Sequence, residues 1–269
     1  MLRAALLAGL AIVTGATRAA AQTTTQTTQP TPAAPDASDP SLRNDNNPTR
    51  AVFFSVRPEF YAPTGELKQA ALVLRYDRAA LVKRRWLPGR RGVVFRIELP
   101  VSGAQVSGAT NVGLGDAYAQ MLLIPYISRR FAFFAGSGLI VPTATSTTLG
   151  LGKLVVAPAA GPIWFFARGL VFVKVQYLDS IAGDSSRPDV RRLLVTPVVI
   201  HTIGTRWWIL ADSETNTNHL RDDRTDLKSG VQFGRVVTRT FGAWVKPEWS
   251  WGPNTTGGWN LKFGIVWYR

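Results

Sequence analysis

W-N-L-K-F-G-I-V-W-Y-R, residues 259–269, is the stretch of this chain that decides the fold. The alternate residues from Trp259 to Trp267 are all apolar, and they lie on one face of an extended strand because side chains alternate between faces with a period of two. The residues between them are mostly polar or small. A strand with one apolar face, one polar face and aromatic residues at both ends is typical of a transmembrane β-barrel. We therefore expect an outer-membrane barrel, in which such a strand commonly comes last.

The amino terminus has the pattern of a secretory signal peptide. A short basic start, Met1-Leu2-Arg3, precedes an apolar run from Ala4 to Ala16, and Ala19-Ala20-Ala21 matches a small-residue cleavage site. An uncleaved inner-membrane helix is the alternative, but the apolar run is shorter than the ~20 residues that a membrane-spanning helix needs. We expect residues 1–21 to be removed and the protein to be exported to a Gram-negative envelope.

The rest of the chain divides into a polar tail and one domain. Residues 22–50 are rich in Thr, Gln, Pro, Ala, Asp and Asn, so they cannot form a core, and we expect a disordered periplasmic tail. Residues 51–269 are enough for one barrel domain. The chain has no cysteine, which excludes disulfides and thiolate metal sites. Its formal net charge of +14 would suit nucleic acid, but export removes that partner.

From Ala51 onward the chain separates into about twelve extended segments of membrane-spanning length, which predicts an all-β fold, a transmembrane antiparallel up-and-down β-barrel. The predicted strands are 51–61, 68–78, 91–101, 113–127, 131–142, 151–163, 167–179, 190–203, 205–215, 225–237, 240–251 and 258–269. Proline cannot donate an N–H to a strand ladder, so we expect bulges or strand ends at the prolines inside these ranges. They are Pro58, Pro100, Pro125, Pro158, Pro197 and Pro247.

The connections between the predicted strands alternate in length. Ser128-Arg129-Arg130, Gly204 and Thr238-Arg239 are tight turns, whereas 143–150, 180–189 and 216–224 are longer and polar. Outer-membrane barrels have short periplasmic turns and longer outer loops, so we expect an even strand count and both termini in the periplasm. Residues 79–90 depart from this pattern, because a turn is expected there and the segment is long.

Charged side chains recur on the face opposite the apolar one. A charge on the lipid face costs ~2–4 kcal/mol at the midplane, so we place these residues in the lumen, as lining or binding residues. The predicted set is Arg57, Glu59, Arg75, Asp77, Arg96, Glu98, Asp116, Tyr118, Lys174, Asp212, Glu214, Lys228, Lys246 and Glu248.

This predicted lumen is nearly neutral. When Lys262 is counted with the set, it holds seven cations and seven carboxylates. One interpretation is a narrow water-filled channel with adjacent acidic and basic ladders. The other is a lumen closed by ion pairs, in a barrel that serves structure or interaction without transport. A barrel of about twelve strands lies between filled eight-stranded barrels and open sixteen-stranded porins, and we favour the narrow channel.

Enzymatic function is the least supported alternative. His219 lies beside Asp222 and Asp223 in an outer loop, which would form a hydrolase dyad only if that loop folds suitably. No serine partner is evident, and the sequence predicts no cofactor and no metal site. The expected partners are outer-membrane lipids, the barrel assembly machinery and a small-molecule solute, with the barrel a monomer or weak oligomer.

Several short motifs resemble a known family. They are LVLRYD (72–77), RIELPV (96–101), GLGDAYAQ (113–120), GLIVPTAT (138–145), LGLGK (149–153) and the terminal WNLKFGIVWYR. Their order and spacing resemble the transporter-like outer-membrane barrel proteins associated with phenol meta-cleavage pathways. The resemblance covers about 51–269 and implies passage of small aromatic or hydrophobic molecules. Arg269 departs from it, since barrel proteins commonly end on an aromatic residue.

Overall fold

A computed structural model of the chain describes residues 52–62, 69–82, 90–106, 109–252 and 255–268. All of them belong to one structural unit, Asp36–Arg269. The expected signal peptide, 1–21, and the expected tail, 22–50, lie outside the described residues. Within the described ranges, no helix has the length and apolar character needed to cross a membrane.

The described residues form one antiparallel sheet of thirteen strand segments. In chain order these are β1 (Val52–Ala62), β2 (Gln69–Val82), β3 (Arg90–Val106), β4 (Ala109–Leu114), β5 (Ala117–Ile127), β6 (Phe131–Val141), β7 (Lys153–Phe166), β8 (Gly169–Gly183), β9 (Arg191–Ile203), β10 (Trp207–Asn218), β11 (Arg224–Val236), β12 (Phe241–Gly252) and β13 (Thr255–Tyr268).

The sheet closes on itself into a twelve-stranded barrel. Strand β1 pairs with β2 on one side and with β13 on the other, and β2 also pairs with β3. Segments β4 and β5 both pair with β3, through Val101↔Leu114 and Glu98↔Tyr118, so they form one strand interrupted at 115–116. The predicted class, an all-β antiparallel barrel of about twelve strands, is confirmed.

Connection lengths alternate between the two ends of the barrel, as the sequence predicts. One end, here the turn end, has the tight connections 128–130, 167–168, 204–206 and 237–240, and the opposite loop end has 142–152, 184–190 and 219–223. Several predicted bounds were wrong. Residues 180–183 and 216–218 extend β8 and β10, while 151–152 and 167–168 lie in connections. Of the anomalous segment 79–90, residues 79–82 and Arg90 belong to strands and 83–89 lie outside the described residues.

Prolines inside strands interrupt one ladder, and the register shifts beside two of them. Pro125 lies at a shift between β5 and β6, and across Pro100 the pairing shifts by one residue between Glu98↔Tyr118 and Val101↔Leu114. Every proline other than Pro125 keeps its pairing with one neighbouring strand, while the pairing with the other neighbour skips the proline. The expected bulges are therefore wrong at Pro58, Pro158, Pro197 and Pro247, whereas an irregularity is present at Pro100 and Pro125. The reason is that both backbone polar groups of a residue in an antiparallel ladder face one neighbour, so a missing N–H affects only that side.

The outer face of the barrel is apolar and has aromatic residues near both ends. Exposed aromatics near the turn end are Phe54, Tyr126, Trp164, Phe166, Trp207 and Trp267, and those near the loop end are Trp249, Trp251 and Trp259. Such an exposed band would be unfavourable in water, and it matches the paired aromatic girdles of a barrel embedded in lipid.

Apolar side chains also fill the barrel interior toward the turn end. One cluster includes Ile124, Phe134, Ile163, Leu170 and Ile200, each at most 2% exposed. A second cluster on the opposite strands consists of Phe53, Trp208, Val236, Trp244 and Val266. Strands in this half are therefore apolar on both faces, whereas the alternation in the sequence predicts apolar residues on the outward face only.

A charged and amphipathic lumen as the candidate functional site

Three arginines on β1, β2 and β3 bind buried carboxylates in the middle of the lumen. Asp77 is 1% exposed and accepts hydrogen bonds from Arg75 at 2.5 Å and from Arg96 at 2.8 Å. Glu98 lies 3.3 Å from Arg57 and 3.6 Å from Arg75. These side chains meet because inward positions of adjacent strands lie opposite each other, as in the pairs Arg75↔Glu98 and Asp77↔Arg96.

Two lysines continue this network onto β12 and β13. Glu248 is 2% exposed and lies 2.8 Å from the Lys246 ammonium and 3.0 Å from that of Lys262. Lys246 also lies 2.5 Å from Asp212 on β10. Lys262 lies 3.8 Å from Glu59, which is also paired with Arg57. The arginine and lysine groups therefore form one network, which spans seven neighbouring strands in the order β3, β2, β1, β13, β12, β11 and β10.

The charges in this network balance. Its cations are Arg57, Arg75, Arg96, Lys246 and Lys262, and its carboxylates are Glu59, Asp77, Glu98, Asp212 and Glu248. A separate pair joins Lys228 to Glu214 at 3.6 Å. Buried charges need partners of this kind, since an unpaired one in a low-dielectric interior is strongly unfavourable.

An amphipathic cavity of about 200 Å³ lies in the lumen beside this network. Seven of the predicted residues line it: Arg96, Lys174, Asp212, Glu214, Lys228, Lys246 and Glu248. The structure places Arg57, Glu59, Arg75, Asp77 and Glu98 in the adjoining ion-pair network, and Tyr118 accepts a hydrogen bond from Gln176 at 3.2 Å. The predicted lumen positions are thus brought together, except for Asp116.

Part of the cavity wall is apolar, which the alternation of charged and apolar residues did not predict. It consists of Val94, Leu122, Phe134, Phe172, Val198 and Leu210. The phenyl rings of Phe134 and Phe172 meet edge to face, with centroids 6.3 Å apart. Runs of consecutive apolar residues, such as Leu170-Val171-Phe172-Val173, were the available signal, because a strand with only one apolar face would alternate.

Loop 142–152 extends across the mouth of the barrel. Its residues Thr148 and Leu149 border a cavity of about 70 Å³ together with Tyr61, Ala71 and Ala104. These three are on the inward faces of β1, β2 and β3 at the loop end, so the loop reaches over strands that are not its own neighbours. The loop therefore narrows the entrance to the lumen.

Asp116 holds this loop and does not line the charged lumen, which corrects the prediction. Its carboxylate accepts hydrogen bonds from the backbone amides of Ala144 at 3.2 Å and Leu151 at 2.5 Å. It lies between β4 and β5, where the strand is interrupted, and so its side chain meets the loop. Arg187 acts from the other side, donating to the carbonyl of Gly150 at 2.5 Å.

Loop 184–190 carries two carboxylates whose ionised form is favoured. The Lys153 ammonium lies 2.8 Å from Asp189, and this hydrogen bond and charge hold the pKa of Asp189 below its usual value. The hydroxyl and amide of Ser186 donate to Asp184 and lower the pKa of that group too. Both carboxylates are therefore negative at the mouth of the barrel at neutral pH.

His219 and Asp223 form the dyad that the sequence left open, with Nδ1 and Oδ1 2.6 Å apart. The imidazole of His219 also contacts the ring of Tyr177, at 6.1 Å between centroids, and among the described residues no serine hydrogen-bonds to it. Serine-type hydrolysis needs a serine hydroxyl hydrogen-bonded to the histidine, and the described residues place none there. Nor does the described part contain three or more His, Asp or Glu residues grouped for a metal ion.

Comparison with solved structures finds porin-type barrels of similar fold. A COG4313 outer membrane channel from Pseudomonas putida F1 matches with a TM-score of 0.61 and 12% identity, over 81% of this chain and 94% of that one. A NanC porin matches with a TM-score of 0.55 and 9% identity, over 80% and 99%, and a KdgM porin with 0.52 and 11%, over 81% and 99%. No protein-family model and no curated protein matches the chain.

Proposed function

We propose that this protein is a narrow outer-membrane channel for the passive passage of small solutes, and not an enzyme. The amphipathic cavity inside a closed barrel is the observation that carries the proposal. A barrel that served only as a scaffold would gain nothing from a solvent-sized space lined by charges. The apolar outer band with aromatic ends supports a location in lipid.

The proposed orientation places the turn end and both chain termini in the periplasm. Short turns characterise the periplasmic side of outer-membrane barrels. Exposed arginines at these turns, Arg129, Arg130, Arg168, Arg206 and Arg239, would meet anionic phospholipid headgroups of the inner leaflet. Loop 142–152 would then narrow the outer entrance. Outer-membrane lipids and the barrel assembly machinery are the proposed partners, and the barrel is proposed to act as a monomer.

The proposed solutes are small and include aromatic or hydrophobic molecules. The motifs between Leu72 and Arg269 that resemble barrel proteins of phenol meta-cleavage pathways support this choice. The phenylalanine-containing wall of the cavity supports it independently, because apolar surface binds apolar surface.

A structural barrel without transport is the second candidate. The packed apolar interior at the turn end favours it, since side chains that are at most 2% exposed leave no water path beside them. Under the channel proposal, these side chains form a gate that must move before a solute can leave the cavity.

Single-channel recording of the refolded protein in a planar bilayer under a salt gradient separates the two candidates. A channel gives reproducible small steps and a defined reversal potential. We expect a preference for anions, because the described lumen carries one more cation than carboxylate when Asp116 is assigned to the loop. Absence of steps from protein shown to be folded and inserted would reject the channel and favour the structural barrel.

A further inference from the structure

The cavity in the lumen has two chemically different walls. On β8, Phe172 and Lys174 are two residues apart on the inward face, so an apolar ring and an ammonium border the same space. Across the strand pair, Phe172 is opposite Val198 and Lys174 is opposite Thr196. The boundary between apolar and charged wall thus runs through the middle of the cavity.

Lys174 is the cation lining this cavity that forms no ion pair with a carboxylate of the described residues. Its ammonium donates to the Gln176 side-chain oxygen at 3.1 Å, and no carboxylate of the described residues lies within ion-pair distance of it. By contrast, Lys246 and Lys262 each contact two carboxylates, and Lys228 contacts Glu214.

Glu214 is the acidic side chain that could have paired with Lys174, but it is engaged elsewhere. One carboxylate oxygen lies 3.6 Å from the Lys228 ammonium, and the other accepts a hydrogen bond from the Thr196 hydroxyl at 3.4 Å. The positive charge of Lys174 is therefore compensated by one neutral amide, in a space that a solute can occupy. A partly buried ammonium of this kind gains most from an anionic partner.

We propose that this cavity binds a small organic monoanion, with its charged group on Lys174 and a ring-sized apolar body against Phe134 and Phe172. The volume of about 200 Å³ suits one ring with one anionic substituent, because a cavity of about 150 Å³ holds a benzene molecule. This inference deepens the proposed channel function and rests on it for the route into the cavity, but binding itself needs no conductance.

Calorimetric titration of the refolded full chain tests the inference with three compounds. Benzoate carries both the ring and the charge, benzamide carries the ring without the charge, and acetate carries the charge without the ring. We expect benzoate to bind and both others to bind at least roughly tenfold more weakly, the range of a hydrogen bond to a charged group. Equal affinity for benzoate and benzamide in the unmodified protein would overturn the inference without any variant.

Variants at position 174 then locate the charge that is responsible. We expect Lys174→Gln to weaken benzoate binding roughly tenfold to a hundredfold, and Lys174→Arg to retain it. Lys153→Gln is the matched control, because it removes the same charge from a lysine that pairs with Asp189 outside this cavity. Undiminished benzoate binding in a folded Lys174→Gln protein, or an equal loss in Lys153→Gln, contradicts the inference.

The two proposals fail in different ways. If the protein conducts but benzoate does not bind, the channel stands and the subsite is rejected. If benzoate binds through Lys174 but no conductance appears, the subsite stands and the channel is rejected.

Discussion

Two tryptophans inside the barrel occupy space that is free only because the facing residue on the next strand is a glycine. Trp208 is paired with Gly234, and Trp244 with Gly264. A Cβ atom on Gly264 would lie 2.1 Å from the indole of Trp244, and one on Gly234 would lie 2.0 Å from that of Trp208. The glycines are thus required by the close approach of large rings.

Gly264→Ala should destabilise the barrel by about 1–3 kcal/mol, since an overpacked interior forces neighbouring side chains out of their preferred rotamers. Equilibrium unfolding in urea measures this change. Gly103→Ala is the control, because a Cβ there would meet its nearest atom at an ordinary 3.7 Å. Equal stabilities of the two variants would contradict the packing argument.

Glu248→Gln tests the buried network. The substitution removes one carboxylate charge from Lys246 and Lys262 together, so we expect a loss of about 3 kcal/mol in unfolding free energy. Asp222→Asn, at an exposed loop position, makes the same chemical change and should cost little. If both variants unfold at the same urea concentration, the network does not contribute to stability.

The inward face of an individual strand changes from apolar to charged along the length of the strand. In β8 the inward residues run from Leu170 and Phe172 to Lys174 and Gln176, while Val171 and Val175 face outward. Period-two alternation predicted the charged half of the strand correctly. Alternation could not predict the apolar half. A strand that is apolar on both faces reads as a continuous apolar run, and such a run occurs both in soluble sheets and in a packed barrel interior.

Loop 142–152 is held in place by contacts with loop 184–190. Arg187→Ala removes the donors to the carbonyls of Gly150 and Leu151. We expect the Leu151 amide to exchange its hydrogen faster, because its bond to Asp116 loses support. Arg221→Ala in loop 219–223 is the control, and equal exchange at Leu151 in both variants would show that Arg187 does not hold the loop.

The conductance of the whole barrel depends on whether the apolar side chains that fill its interior toward the turn end act as a gate. Phe134 is 1% exposed inside the barrel, and its neighbour Phe133 is 37% exposed on the outer face. We expect Phe134→Ala to raise single-channel conductance several-fold, because the removed ring widens the narrow segment. Phe133→Ala is the control, because it removes a phenyl ring from the outer face of the barrel and should leave conductance unchanged. An equal response of the two variants would place the limiting segment elsewhere.

Much of the barrel and of its lumen could be predicted from the sequence. Alternation from Trp259 to Trp267, turn residues such as Gly204 and the charged inward positions are local features, because strand geometry gives side chains a period of two whatever lies on the next strand. These features determined the class, the approximate strands and the face on which the charges within strands lie, but not the position of Asp116, which lies between two strand segments.

Only the tertiary structure decided how those charges are used. Glu59 meets Lys262 because the first and last strands pair when the barrel closes, and no local pattern relates residues so distant in the chain. Tertiary packing also brings Lys246 to Asp212 across β11, turns Asp116 toward a loop and leaves Lys174 beside an apolar wall. A sequence sets which face a side chain takes, whereas register and closure set which side chain it meets.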